Sequence, residues 1–226
     1  MSAATARRTR LLLGAGSFSD AESALKLVEL LGERMAADLR GLFIEAPVGA
    51  LTSRHVISMT GQLIETPTAE DAARATNRDA RAFRRRLSLL AQSRTVEWSF
   101  EQRSGDVATC LCETAQDWDI ALMGSGPLHH APGRVVCIAP ASAQAQELAQ
   151  ALAGVLGVDL LSLSLSQDEG DERFTSQTGL LARLNRLNAA AVVADWGMPP
   201  LSNEKDLRDL ITAARCPVLL LGSRKV

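Results

Sequence analysis

The sequence predicts an α/β fold with doubly wound, mostly parallel sheets. Short apolar strand patterns alternate with longer helical patterns along the chain, as in sheets whose strands are joined by crossover helices. The order of strand, turn, helix and strand in the first half recurs in the second half. Of the 226 residues, 46% are hydrophobic and 22% are charged, a composition that supports a sizeable buried core.

Charge and cysteine content exclude several classes of protein. The formal net charge is −2 at pH 7, so no overall basic field would recruit nucleic acid or a membrane surface. The basic start MSAATARRTR leads into only three leucines, too few for a signal peptide or a membrane span. We therefore expect a cytoplasmic protein that binds neither nucleic acid nor membranes. The four cysteines lack metal-ligand spacing, which predicts reduced, mostly buried thiols.

The first half of the chain predicts four strands and three helices in alternation. TRLLLGAG reads as a buried strand, and Ser19 with Glu22 forms a capping box for a helix that runs to about Met35. ADLRGLFIEAP is the second strand, whereas residues 48–66 fit neither period. A long arginine-rich helix follows over residues 67–92. TVEWSFEQ, DVATCLCETAQDW and DIALMGSG then predict a strand, a helix and a strand.

The second half repeats this order in a shortened form. Leu11 corresponds to Val135, an offset of 124 residues, whereas Asp119 corresponds to Ala190, an offset of 71. The second half is therefore 53 residues shorter, about the length of residues 48–66, the long helix and the third strand together. This difference predicts the loss of one helix–strand unit. The ending NEKDLRDLITAARCPVLLLGS adds a helix and a strand that the first half lacks.

Three stretches carry a resemblance to a known family. LLLGAGSFSDAESALKLVELLGERMAADLRGLFIEA, VEWSFEQRSGDVATCLCETAQDWDIALMGSG and the terminal CPVLLLGS resemble the universal stress protein family in a tandem form. The resemblance implies two universal-stress-protein-like, Rossmann-like domains, residues 1–133 and 134–226, each incomplete in a different place. It also implies a stress-response role and, often, a dimer.

The resemblance further implies where a cofactor would bind. Many members of the family bind ATP at the carboxyl ends of the first and fourth strands, the switch point at which open α/β sheets bind ligands. The residues at those ends are Gly14, Ala15, Gly16, Ser17, Gly124, Ser125 and Gly126. Ala15 stands where ATP-binding members carry Asp, and Pro127 stands where their phosphate loop has its second glycine. We therefore expect a degenerate adenine-nucleotide site and no cofactor, ATP being the one that the resemblance implies.

Three functions remain open at this point. The first is a noncatalytic regulatory protein that acts by protein contacts, the second an ATP-binding member with a variant phosphate loop, and the third a nucleotide- or flavin-dependent enzyme on a similar sheet. The Gly-x-Gly turn with Glu45 resembles a dinucleotide fingerprint, but Ser19 replaces the third glycine. Adjacent His129 and His130 lack a third metal ligand nearby. No catalytic spacing is readable, so an enzyme is the less favoured class.

The long helix predicts a basic surface. Arg74, Arg78, Arg81 and Arg85 follow each other at i, i+4, i+7 and i+11 and form one stripe. Thr76, Ala80, Phe83, Leu87 and Leu90 lie on another face, which we expect to pack on the sheet. The stripe is either a solvated face relieved by neighbouring acidic residues or a docking surface for an acidic protein partner.

The C-terminal strand predicts a homodimer. CPVLLLGS is a short apolar strand, and a bare sheet edge invites pairing with another chain. The strand resembles the one that family members pair across a dimer axis, and only the second half has it. We therefore expect two copies of the chain to join near residues 218–221.

Overall fold

The computed structural model of the protein describes residues 9–31, 37–45, 68–115, 117–125, 133–165 and 170–222. The strands in chain order are β1 Thr9–Ala15, β2 Ala37–Glu45, β3 Trp98–Ser104, β4 Ile120–Met123, β5 Arg134–Ala139, β6 Leu160–Ser164, β7 Glu172–Arg173, β8 Ala189–Asp195 and β9 Val218–Leu221. The helices are α1 Phe18–Leu31, α2 Ala69–Arg94, α3 Val107–Ala115, α4 Ala143–Leu156, α5 Gln177–Arg186 and α6 Glu204–Ala214.

All nine strands form one sheet in the order β3-β2-β1-β4-β9-β8-β5-β6-β7. Every neighbouring pair is parallel except β4 and β9, which are antiparallel. The strand order reverses between β1 and β4 and again between β5 and β8, which gives two switch points. The predicted α/β class with a mostly parallel arrangement is confirmed, and the two halves share a continuous sheet.

Helices cover both faces of this sheet. Because successive strand residues point to opposite faces, Leu11 and Leu13 pack under α1, α2 and α4, whereas Leu12 packs over α3, α5 and α6. The predicted sheet-facing side of α2 is confirmed at its four apolar positions, which are Ala80, Phe83, Leu87 and Leu90. No helix in the described ranges is long and apolar enough to cross a membrane.

The second half differs from the prediction in its set of strands and helices. A two-residue strand, β7, pairs with β6 in the place that β3 takes beside β2, so the third strand is shortened rather than lost. What the described residues between β6 and β7 lack is a counterpart of α2. A groove of about 1240 Å³ therefore runs along α4 above β5 and β6, with Leu30 and Val155 exposed beside it.

The C-terminal strand corrects the predicted route to a dimer. β9 lies inside the sheet, antiparallel to β4 on one side and parallel to β8 on the other. Both edges of β9 are hydrogen-bonded within the chain. The prediction that this strand pairs with a second copy is therefore wrong. The strand joins the two halves of one chain instead. Homodimerisation stays a prediction without this strand as its route.

The cysteines are free thiols in or near the core. Cys110, Cys137 and Cys216 are buried and Cys112 is partly buried, as predicted. Burial raises the pKa of Cys216 to about 12 and that of Cys112 to about 11. These thiols therefore stay protonated near neutral pH, where a reactive cysteine would need to be a thiolate.

Candidate functional site

The first switch point contains most of the predicted cofactor positions. Gly14 pairs with Met123, and the Gly124 N–H donates to the Gly14 carbonyl at 2.9 Å. A β-carbon on Gly124 would overlap the carbonyl of Asp20, so this glycine lets the first turn of α1 pack against the end of β4. Ala15 is fully buried in the core under α1. Gly124 and Ala15 therefore have packing roles that need no ligand.

The start of α1 uses its own side chains to satisfy its amide groups. The helix begins at Phe18, and the Ser17 hydroxyl accepts from the Asp20 N–H at 3.2 Å while donating to the Asp20 carboxylate at 2.7 Å. The Phe18 N–H donates to the carboxylate of Asp79 at 3.2 Å. The predicted cap at Ser19 is therefore wrong, because Ser17, two residues earlier, has this role. Two carboxylates therefore lie at the positive end of this helix, the end that favours anions.

At the second switch point, Asp195 at the end of β8 binds the start of α4. This carboxylate is 7% exposed and accepts hydrogen bonds from the Ser142 backbone N–H and, at 2.9 Å, from the Ser142 hydroxyl. Ser142 is also the N-cap of α4, since its hydroxyl accepts from the Ala145 N–H at 3.2 Å. The chain thus supplies its own anion at the helix N-terminus of the second half.

The repeat could have revealed this carboxylate. An offset of 71 residues places Asp195 opposite Gly124 of the first half. In the second half this position puts a carboxylate beside the start of α4, which is a signal against phosphate binding, whereas in the first half Gly124 packs beside the start of α1. The contribution of Asp79 has no such signal, because only the packing of α2 on α1 brings it to Phe18.

A cleft of about 280 Å³ opens at the first switch point and is built from both halves. The predicted positions Gly16, Gly124 and Ser125 line one side, together with Asp20, which was not predicted. The opposite wall comes from α6 of the second half and was not predicted. Its residues are Arg208, Ile211 and Thr212. No sequence pattern indicates that this helix would reach the first half.

The cation in this cleft is already neutralised. Arg208 donates to the Asp106 carboxylate at 2.8 Å and to the Glu204 carboxylate at 2.6 Å. Thr109 joins the network by donating its hydroxyl to Glu204 at 2.6 Å and its N–H to Asp106 at 3.1 Å. The hydrogen bond from Arg208 lowers the pKa of Asp106 to about 2. Among the described residues that line the cleft, Arg208 is the one cation, and two carboxylates share its guanidinium.

Other predicted site features fall elsewhere. Gly126, Pro127, His129, His130 and residues 48–66 lie outside the described residues. Glu45, the acid of the alternative dinucleotide fingerprint, accepts hydrogen bonds from Gln102 and, at 3.2 Å, from Ser104 on the neighbouring strand. Within the described ranges, no three His, Cys, Asp or Glu side chains come together as metal ligands.

The arginine stripe of α2 lies on the surface. Arg74 pairs with Glu70 and, at 3.9 Å, with Asp71, so the acidic residues at the start of the helix neutralise only its first arginine. Asp79 contacts α1 instead. The exposed arginines of α2 that have no ion pair with another described residue are Arg78, Arg81, Arg84 and Arg85.

Comparison with known proteins adds little to this description. No protein-family model matches the chain, and no curated protein sequence matches it. Among solved structures, the chain is similar to universal stress protein UspA from Lactobacillus plantarum, at 16% identity and a TM-score of 0.36, over 70% of this chain and 99% of that one. It is also similar to the cytoplasmic domain of a prokaryotic cation chloride cotransporter, at 8% identity and a TM-score of 0.41, over 96% of each chain. The fold assignment rests on the strand order and pairing.

Proposed function

We propose that this chain is a noncatalytic, universal-stress-protein-like regulatory protein that acts through protein contacts and does not use a nucleotide. The observation that supports this proposal best is Asp195, whose carboxylate occupies the start of α4 at the second switch point. Asp20 and Asp79 have the same position at the start of α1. A phosphate would have to displace these carboxylates or bind beside them.

Electrostatics favour this reading over ATP binding. The positive end of a helix stabilises an anion by about 0.3–1 kcal/mol, and here the chain's own side chains use that stabilisation. A triphosphate added beside a carboxylate meets like charge in a partly buried place, where the repulsion is poorly screened. The paired state of Arg208 removes the nearest compensating cation. The unpaired arginines of α2 support protein contacts as the mode of action.

Titration calorimetry with ATP and magnesium tests the proposal on the purified chain. We expect no binding tighter than about 1 mM, which corresponds to roughly −4 kcal/mol. A dissociation constant in the low micromolar range, about −8 kcal/mol, would contradict the proposal and favour an ATP-binding protein with a variant loop.

A second arm of the same test addresses Asp195 itself. Replacing Asp195 with Ala vacates the start of α4, so sulfate should raise the melting temperature of this variant more than that of the unmodified chain. Asp117→Ala removes one exposed carboxylate elsewhere and is the matched control for net charge. Equal sulfate effects on all three proteins would mean that Asp195 does not hold an anion position.

A further inference from the structure

The sheet has one long free edge, formed by β3. β3 pairs with β2 on one side, and no strand in the described part of the chain pairs with its other side. The hydrogen bonds from Leu39 N–H to Glu97 carbonyl, 2.8 Å, and from Gly105 N–H to Glu45 carbonyl, 3.0 Å, show that the odd-numbered residues bond to β2. Alternation along the strand therefore turns the N–H and C=O groups of residues 98, 100, 102 and 104 outward.

Arginines of α2 lie beside this edge. Phe83 packs edge-to-face on Phe100 at a ring distance of 5.5 Å, which places α2 over β3. One flank of α2 faces α1, through Asp79 on Phe18 N–H and through Arg86 on Glu29 at 3.3 Å.

The opposite flank of α2 carries cations. At 100° per residue, Arg81 and Arg84 lie about 140–160° around the helix from both Asp79 and Arg86. They are exposed and have no ion pair in the described ranges. Because α1 lies toward β1 and the strand order is β3-β2-β1, this second flank is on the side of the free edge.

The positive charge beside the β3 edge distinguishes two possible partners, a second copy of the chain and an acidic strand of another protein. If two copies paired through β3, the arginine flanks of both α2 helices would lie next to each other, about two strand spacings or 10 Å apart, and would repel. On the other face, Arg103 is already paired with Glu101 and, at 3.2 Å, with Glu113. Beside Phe100 the charge on the α2 side is positive, from Arg81 and Arg84, whereas the Glu45 carboxylate near the end of β3 accepts hydrogen bonds from Gln102 and Ser104. The positive charge fits an added strand with acidic side chains on the α2 side.

We propose that the β3 edge surface, meaning the outward backbone groups of residues 98–104 together with Arg81 and Arg84, docks an extended acidic segment of a partner protein by strand addition. The partner strand receives main-chain hydrogen bonds from β3, and its alternate acidic side chains meet the arginines. This inference rests on the proposed function, since it names the chemistry of the partner in those protein contacts. The opposite edge of the sheet, β7, has only two residues and offers far fewer backbone groups.

Fluorescence anisotropy with a labelled synthetic peptide of alternating Glu and Val tests the charge requirement. We expect saturable binding that weakens with salt, and no binding of the Lys–Val peptide. Arg81→Gln with Arg84→Gln should weaken binding about five- to tenfold. Arg173→Gln with Arg186→Gln removes two exposed arginines elsewhere and should leave binding unchanged. Equal loss in both double variants would overturn the proposal.

Backbone methylation of the peptide tests the strand geometry without altering the protein. Only alternate peptide N–H groups face β3 in an added strand, so N-methylation of one alternate set should abolish binding and N-methylation of the other set should spare it. Equal effects of the two sets would reduce the interaction to nonspecific charge attraction and overturn strand addition. Gln102→Pro, which removes an outward N–H, should weaken the same binding at least tenfold.

Light scattering measures the mass of the chain in solution and so tests whether a second copy binds the β3 edge surface. We expect the unmodified chain not to self-associate through this edge, because the arginine flanks of two copies would repel each other. Peptide-sensitive dimerisation would overturn the acidic-segment proposal. The ATP titration separates the two proposals, since micromolar ATP binding contradicts the proposed function alone, whereas symmetric effects of N-methylation contradict the edge inference alone.

Discussion

At the scale of single residues, the main feature of the two switch points is a carboxylate at the N-terminus of a helix. Asp195 accepts two hydrogen bonds from Ser142, and Asp20 accepts one from Ser17. In each half the side chain lies at the carboxyl end of the central strands, the edge at which open α/β sheets bind ligands. A side chain tethered to the fold has a higher local concentration than any free anion, so these helix ends are satisfied without a ligand.

Two glycines at the first switch point make a matched pair for mutation. Gly124→Ala would force a methyl group against the Asp20 carbonyl, and we expect it to lower the free energy of unfolding by about 1–3 kcal/mol. At Gly16 a β-carbon would lie 3.8 Å from its nearest neighbour, so Gly16→Ala should change stability by less than about 0.5 kcal/mol. Urea denaturation measures both. Similar midpoints for the two variants would contradict the close packing of α1 on β4.

At the scale of elements, the two halves are held together by more than the linker between them. α6 of the second half packs beside α3 of the first, and the pair is linked by the contacts of Arg208 with Asp106 and of Thr109 with Glu204. β9 adds main-chain hydrogen bonds to β4. In contrast, the described residues between β6 and β7 contain no counterpart of α2, and an open groove runs along α4. Each half therefore depends on the other for part of its cover.

The contact between α3 and α6 predicts an acid dependence of stability. The pKa of Asp106 is about 2 in the folded chain against an ordinary 3.8, so the contribution is present above pH 4 and is lost as the pH falls toward 2. Because the side chains of Asp106 and Arg208 are 44% and 45% exposed, solvent screening limits the contribution to about 1 kcal/mol or less.

Urea denaturation at pH 5 and pH 3 measures this effect. Arg208→Gln removes the main cause of the shift, so this variant should lose less stability between the two pH values than the unmodified chain. Arg186→Gln, an exposed arginine without an ion pair in the described ranges, is the control and should behave like the unmodified chain. A pH dependence unchanged by Arg208→Gln would assign the low pKa of Asp106 to its bonds with Thr109.

At the scale of the whole molecule, the continuous sheet makes the C-terminal strand a structural centre. Leu219, Leu220 and Leu221 lie between β4 and β8 and are at most 2% exposed. β9, a strand of four residues near the end of the described chain, thus joins the two halves into one sheet. The parallel strands of one half run antiparallel to those of the other. This placement explains why the chain needs no second copy to cover that strand.

Leu220→Lys tests the central position of β9. A lysine here would be buried in the core between the sheet and the helices α3 and α6, so we expect a loss of about 3–5 kcal/mol of stability. Leu89→Lys is the control, because Leu89 is 49% exposed on α2 and should tolerate the change within about 0.5 kcal/mol. Near-ultraviolet circular dichroism and urea denaturation measure both variants. A folded Leu220→Lys chain of ordinary stability would be expected only if β9 lay at an edge.

Local pattern alone determined most of the elements. The run Leu11–Leu13 and the apolar face of α2 at Ala80, Phe83 and Leu87 follow from hydrophobic period, because burial requires one face of each element to be apolar. The start of α1 did not follow, since Ser17 with Asp20 and Ser19 with Glu22 both have capping spacing. In the folded chain the helix begins at Phe18, whose N–H donates to Asp79 of α2, a residue far away in the sequence.

The sequence by itself determined the α/β class, the repeat and the positions at the ends of β1 and β4, because these depend on residues close together in the chain. Tertiary structure alone decided that β9 lies inside the sheet, that Arg208 reaches the first switch point and that Asp79 binds the start of α1. The contacts of β9 with β4, of Arg208 with Asp106 and of Asp79 with Phe18 join residues about 60 or more positions apart. Their formation depends on the summed packing of whole elements, which no local period records.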